Sequence, residues 1–137
     1  WDYVNIIDAE ARSGKFCLKM TPIDFVPSAS IDSKGITANR CRRLVEGLVP
    51  GRQYRLSGWV KLEKAGDGAA PVAILKAMGY SSLGYVSQKE LLYGYSEGKY
   101  VFLDIAFVPE NPWVVISLEH NGKGNAYWDD ISLVLDN

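Results

Sequence analysis

Asn125-Ala126-Tyr127-Trp128-Asp129-Asp130-Ile131-Ser132-Leu133-Val134-Leu135 is the stretch that decides how this chain folds. Ile131, Leu133 and Leu135 alternate, as a strand with one buried face requires. Asp129 shares their parity, so the pattern predicts it on the buried side, with Asp130 turned to solvent. A carboxylate without a partner is costly to bury. Asp129 is therefore expected to accept backbone N–H bonds at a turn or to meet a metal ion at the strand's edge. Tyr127 and Trp128 flank the acids and read as structural.

Further strands precede it. Gln53 to Leu62 alternates, with Tyr54, Leu56, Gly58 and Val60 on one face and Arg55, Ser57, Trp59 and Lys61 on the other. Pro50-Gly51 ahead of it is a turn, Pro fixing φ and Gly tolerating a positive one. Phe16 to Met20, Ile36 to Val45, Val72 to Met78, Val101 to Phe107 and Val114 to Leu118 are further strand candidates. Residues 23–35 and 64–68 read as loops, and 79–99 is a mixed stretch rich in Gly and Tyr. Asn121-Gly122 signals a tight turn. No window shows the 3.6-residue period of a helix. Short strands at roughly ten-residue spacing predict an all-β protein, an antiparallel β-sandwich or jelly roll.

Composition narrows the function. The 137 residues suit one domain, spanning 1–137, and 47% hydrophobic content excludes a disordered chain. A formal charge of −1 supplies no global field for nucleic acid, and no apolar run reaches a membrane span, so neither partner is expected. Cys17 and Cys41 both fall on predicted strands: either a bridge or two separate small thiols. His120, the single histidine, reads as a half-exposed residue at a strand end.

In mid-chain, Leu48-Val49-Pro50-Gly51-Arg52-Gln53-Tyr54-Arg55-Leu56-Ser57-Gly58-Trp59-Val60-Lys61, together with the terminal Asp129-Asp130 strand, resembles the carbohydrate-binding modules of families 4, 9, 16 and 22. Ser13 to Met20 and Tyr100 to Pro109 are similar to two more of the family's segments, with Cys17 in place of a Ser and Tyr100 in place of a Trp. The resemblance implies a non-catalytic domain that binds a plant- or microbial-type polysaccharide on a concave sheet face. It implies an extracellular or cell-surface setting and other modules of a multidomain protein as neighbours. It also implies a structural calcium, with Asp129 giving a carboxylate and Lys15 a backbone carbonyl. The family usually opens with a strand similar to N-G-x-F-E, which has no counterpart at the start of this chain. Either that first strand lies outside this sequence or the fold does without it, and the calcium site is expected to be weakened or altered.

Sugars offer apolar C–H faces ringed by hydroxyls. A flat aromatic ring covers the first, and amides, acids or Arg bond the second. Trp59 and Trp113 lie on the polar faces of their strands and are the leading ring candidates, followed by Tyr80, Tyr85, Tyr93 and Tyr95. Arg55 and Glu119 are candidate hydroxyl partners. Five of six arginines fall between residues 40 and 55; they are either solvated charges or contacts for an anionic glycan. Asp104 and Glu119 are the only acid pair to consider for glycoside cleavage, and bonding sugar hydroxyls is the more natural role for both. The competing reading is a structural or protein-interaction sandwich without sugar binding. Exposed Trp59 and Trp113 lining one groove favour the module; both rings buried under loops favour the competitor.

Overall fold

The computed structural model describes residues 4–21, 38–63, 71–82, 84–93, 98–122 and 124–136. Among them the chain forms strands β1 (Val4–Ile7), β2 (Cys17–Met20), β3 (Ala38–Glu46), β4 (Tyr54–Leu62), β5 (Val72–Ser81), β6 (Gly84–Tyr93), β7 (Val101–Phe107), β8 (Trp113–Asn121) and β9 (Ala126–Leu135). They build two antiparallel sheets, ordered β1-β2-β9-β4-β7 and β3-β8-β5-β6. The expected all-β sandwich is the fold. The mixed stretch holds the end of β5 and the whole of β6, and the two predicted loops at 23–35 and 64–68 lie outside the described residues.

Alternation drives the packing. Leu56 and Val60 of β4, Leu103 of β7 and Trp128 of β9 face Leu75 of β5 and Leu118 of β8, and all are buried. Burying each such side chain removes apolar area worth about 1.5–3 kcal/mol. The Pro50-Gly51 turn forms as predicted, with Gly51 at φ 83. Its amide donates to the Pro109 carbonyl at 2.9 Å, and the Leu48 amide to Pro112 at 3.0 Å, tying this turn to the β7–β8 connection.

β9 departs from simple alternation. Trp59 of β4 lies opposite Asp129, but Ser57 lies opposite Ser132, so Asp130 and Ile131 together oppose Gly58. This is a β-bulge, and Asp130 takes the left-handed backbone (φ 50) that the extra residue demands. The bulge reverses the facing on its N-terminal side. Ala126 and Trp128 share the core with Ile131 and Leu133. Asp129 therefore stands on the outer side with Trp59, and its predicted place on the buried side is corrected. Gly58 has room for no more: a Cβ there would run into Ile131 Cδ1.

Three smaller expectations change or narrow. His120 is not half-exposed but wholly buried, because β8 runs on to Asn121 and keeps it on the core side. Cys17 and Cys41 are free thiols. A short N-terminal strand, β1, is present, but it pairs with β2. β2 in turn meets β9 only as far as Trp128. From Asp130 onward, β9 pairs with no described strand on that side, and a groove of about 560 Å³ with Arg43, Val45, Glu46, Ile116, Ile131 and Leu133 in its lining runs beside it.

Candidate functional site

The predicted ring and polar residues divide between the two outer faces. Trp59 and Arg55 lie on the five-stranded sheet; Trp113, Tyr80, Tyr85 and Glu119 lie on the four-stranded one. Packed sheets stand about 10 Å apart, with side chains projecting away on either side. One face carrying all of these residues is therefore corrected to two. Parity on a single strand tells which side of its sheet a residue takes, and nothing about which sheet the strand joins. Tyr93 ends β6, its side chain lying outside the described residues, as does Tyr95 altogether.

On the five-stranded sheet, β4 and β7 pair so that Trp59 lies directly opposite Phe102 and Ser57 opposite Asp104. The Trp59 and Phe102 rings stack, centroids 5.1 Å apart and 30° between planes. Phe102 is 43% exposed. An apolar ring left this open on a strand, beside a Trp, makes a continuous aromatic strip. Polar groups rim it. Arg55 pairs with Asp104, and its second guanidinium nitrogen reaches Asp136 at 3.2 Å. The Asp104 bond, then the Asp136 charge, raise Arg55 above its ordinary pKa. Asp136 is held below the usual carboxylate range, first by the Gln53 amide and then by Arg55.

The segment between β1 and β2 closes the other end of the strip. The Arg12 guanidinium lies over the Trp59 ring at 3.6 Å. Trp59 is consequently half-buried rather than open, though Phe102 beside it is not covered. The bulge explains how Arg12 is held. Asp129 Oδ2 accepts the Arg12 and Ser13 amides at 2.8 and 3.1 Å, and its Oδ1 accepts the Asp130 amide at 2.8 Å. Asp130 takes the Arg12 guanidinium at 3.0 Å and the Ser13 hydroxyl at 2.7 Å. Sequence reasoning missed Arg12, Phe102 and Asp130. Only the outward parity of Phe102 on β7 was there to be read.

These bonds bear on calcium. Ca²⁺ takes six to eight oxygens, whereas the Asp129 carboxylate is surrounded by N–H donors with a guanidinium beside it. No group of three or more His, Cys, Asp or Glu placed to hold a metal occurs among the described residues. Lys15 stands in the same segment, its ammonium 5.3 Å from the Phe16 ring.

On the four-stranded sheet, Tyr80 packs edge-on against Tyr85 at 5.8 Å and Trp113 at 6.2 Å. Tyr80 and Tyr85 are 59% and 57% exposed. A cleft of about 270 Å³ opens at this end, with Tyr80, Gln88, Phe107, Asn111 and Trp113 in its lining. Glu119 accepts the Ser117 hydroxyl at 2.8 Å and pairs with Lys76 at 3.2 Å. Asp104 and Glu119 thus occupy different sheets, and cannot flank one glycosidic bond at the 5–9.5 Å that hydrolysis needs.

No protein-family profile and no curated protein sequence matches the chain. The fold nevertheless is that of the carbohydrate-binding modules. TmCBM61, solved with β-1,4-galactotriose, superposes with a TM-score of 0.70 at 15% identity, over 98% of this chain and 83% of that one. A family 16 carbohydrate-binding module gives 0.60 at 17% identity, over 98% and 87%. The CBM22-1 xylan-binding domain of Paenibacillus barcinonensis Xyn10C gives 0.61 at 15%, over 96% and 80%.

Proposed function

We propose that this chain is a non-catalytic carbohydrate-binding module whose binding face is the outer surface of the five-stranded sheet. The observation that carries this reading is the stacked, partly open Trp59–Phe102 strip rimmed by Arg12, Arg55, Asp104 and Asp130. The open part of the Phe102 ring suits a sugar's C–H face, Trp59 adds its own once Arg12 moves off it, and the rim suits the hydroxyls. Arg12 bonds a hydroxyl itself or slides aside, giving up its guanidinium bond to Asp130 while its amide stays anchored on Asp129. The shared fold with modules solved alongside galactotriose or named for xylan supports the same direction.

Such a module holds a neighbouring catalytic domain near a polymeric substrate and raises its effective concentration. Another module of this fold is solved as CBM22-1 joined to a GH10 domain in a Clostridium thermocellum xylanase with xylohexaose. An extracellular or cell-surface setting accords with that role. Affinity of order 10 μM to 1 mM, about −4 to −7 kcal/mol, suffices. Structural calcium at Asp129, with the Lys15 carbonyl, is a separate proposal, and the metal would have to take Asp129 from the Arg12 and Ser13 amides.

Affinity electrophoresis on a panel of soluble neutral polysaccharides tests the binding face. Wild type should be retarded on at least one. Trp59→Ala and Phe102→Ala should each lose roughly tenfold or more in affinity, ~1.4 kcal/mol. Retardation that both variants keep would remove this face from the site. Release of reducing ends from the panel would mark a hydrolase instead.

A further inference from the structure

Arg12 covers the Trp59 ring as a ligand would. Phe102 stacks on one face of that ring with centroids 5.1 Å apart, and the Arg12 guanidinium lies 3.6 Å from the centroid. At that distance the cation stands over a ring face, and the face it holds is the one turned away from Phe102, towards β9. There it donates to Asp130 at 3.0 Å. The two side chains are 37% and 39% exposed, so the pair sits at the surface. A surface ion pair contributes little, and a cation on an exposed ring adds only a modest attraction. The Arg12 amide is held separately, by Asp129 at 2.8 Å. The guanidinium can therefore leave the ring without unseating the segment. It leaves behind an uncovered Trp59 face beside a carboxylate that keeps only the Ser13 hydroxyl from this segment.

The charge around the strip favours another cation in that place. Among the described residues, Asp104, Asp129, Asp130 and Asp136 stand around Trp59 and Phe102 against two guanidiniums, Arg12 and Arg55. Arg55 is engaged by Asp104 and Asp136, and Lys61, further along β4, by Glu10. With Arg12 off the ring, the excess of acid grows. Such a field attracts positive ligands and repels uronates. The departing side chain is a cation on an apolar stem. A 2-amino sugar presents the same pair along one edge, C–H groups for the ring and a protonated amine for the acid. We propose that the Trp59 face selects chains containing a protonated amino sugar, such as glucosamine, over neutral and N-acetylated ones. The ammonium takes the place of the Arg12 guanidinium on Trp59 and bonds Asp130, so Arg12 is a resident competitor for the site. This deepens, and rests on, the reading of the five-stranded sheet as the sugar-binding face.

The test is isothermal titration of the intact domain with hexaglucosamine in mildly acidic buffer, where its amines are protonated. Its N-acetylated counterpart, xylohexaose and tetralysine are the comparisons. Hexaglucosamine should bind roughly tenfold more tightly than either uncharged hexamer, the scale of one bond to a charged group, and the gap should close with salt. Asp130→Asn, which tolerates the left-handed backbone, should erase the gap. Trp59→Ala should weaken all three sugars. Arg12→Ala removes an exposed side chain, and should tighten hexaglucosamine roughly threefold or more by removing the competitor. Equal binding of the three hexamers, tetralysine as tight as hexaglucosamine, a gap that survives Asp130→Asn, or weaker binding to Arg12→Ala would overturn the proposal. If xylohexaose still loses affinity in Trp59→Ala while the gap is missing, this inference alone fails. If no sugar responds to Trp59→Ala or Phe102→Ala, the sugar-binding face fails with it.

Discussion

His120 is wholly buried in the sandwich, and neither ring nitrogen has a hydrogen-bond partner among the described residues. Burial pushes its pKa down from 6.5 to about 4. The folded protein therefore holds it neutral where the unfolded chain would protonate it. The stability tied to that preference is complete above pH 6.5 and is lost as pH falls towards and through about 4. It amounts to something on the order of 3 kcal/mol. His120→Leu should raise the thermal midpoint, because two unsatisfied nitrogens leave the core, and should flatten its decline between pH 6.5 and 4. A midpoint that falls at neutral pH would show that the buried ring is not a net cost, and a decline that persists unchanged would show that other groups drive it. The sequence placed His120 on the core parity of its strand, but not how far β8 extends past it, so its burial was not legible.

At the scale of elements, the terminal strand shows why parity alone misplaced an acid. Ile131, Leu133 and the strand itself were readable from alternation. The extra residue at Asp130 was not, because a bulge leaves no composition signal when its left-handed residue is an Asp rather than a Gly. Asp130→Gly should keep the backbone and lose the side-chain bonds to Arg12 and Ser13. Asp130→Ala should lose both and be less stable than the Gly variant by about 1 kcal/mol in urea unfolding. Equal stabilities would mean that the left-handed backbone is not required. Across the bulge, Gly58→Ala should cost about 1–3 kcal/mol by overpacking against Ile131; a neutral result would show that Ile131 has room to turn away. Calcium belongs at this scale too. Titration of metal-stripped protein should give weak binding or none, since Asp129 is already satisfied by three amides. Nanomolar affinity would mean that the Arg12 segment yields its carboxylate to the metal.

At the scale of the molecule, most of the architecture was legible and the layout of the candidate site was not. Strand spacing and turn residues such as Pro50-Gly51 disclosed a sandwich. Which strands share a sheet depends on pairing between distant segments: β4 lies between β7 and β9, and β8 between β3 and β5. Trp59 and Trp113 read as equivalent outward rings, yet they point away from opposite sheets. Residues joined by register, such as Phe102 beside Trp59, were likewise hidden until the strands were paired.

The central claim is that neutral sugar chains lie on the Trp59–Phe102 strip. The chain has four tryptophans, so a nitrogen–proton correlation spectrum offers one indole signal for each. Titration with xylohexaose or β-1,4-galactotriose should move the Trp59 indole signal progressively. Buried Trp128, a control inside the core, should stay fixed, and so should Trp113 on the far sheet. A shift of Trp113 with Trp59 silent would contradict the account and put neutral-sugar binding on the other face.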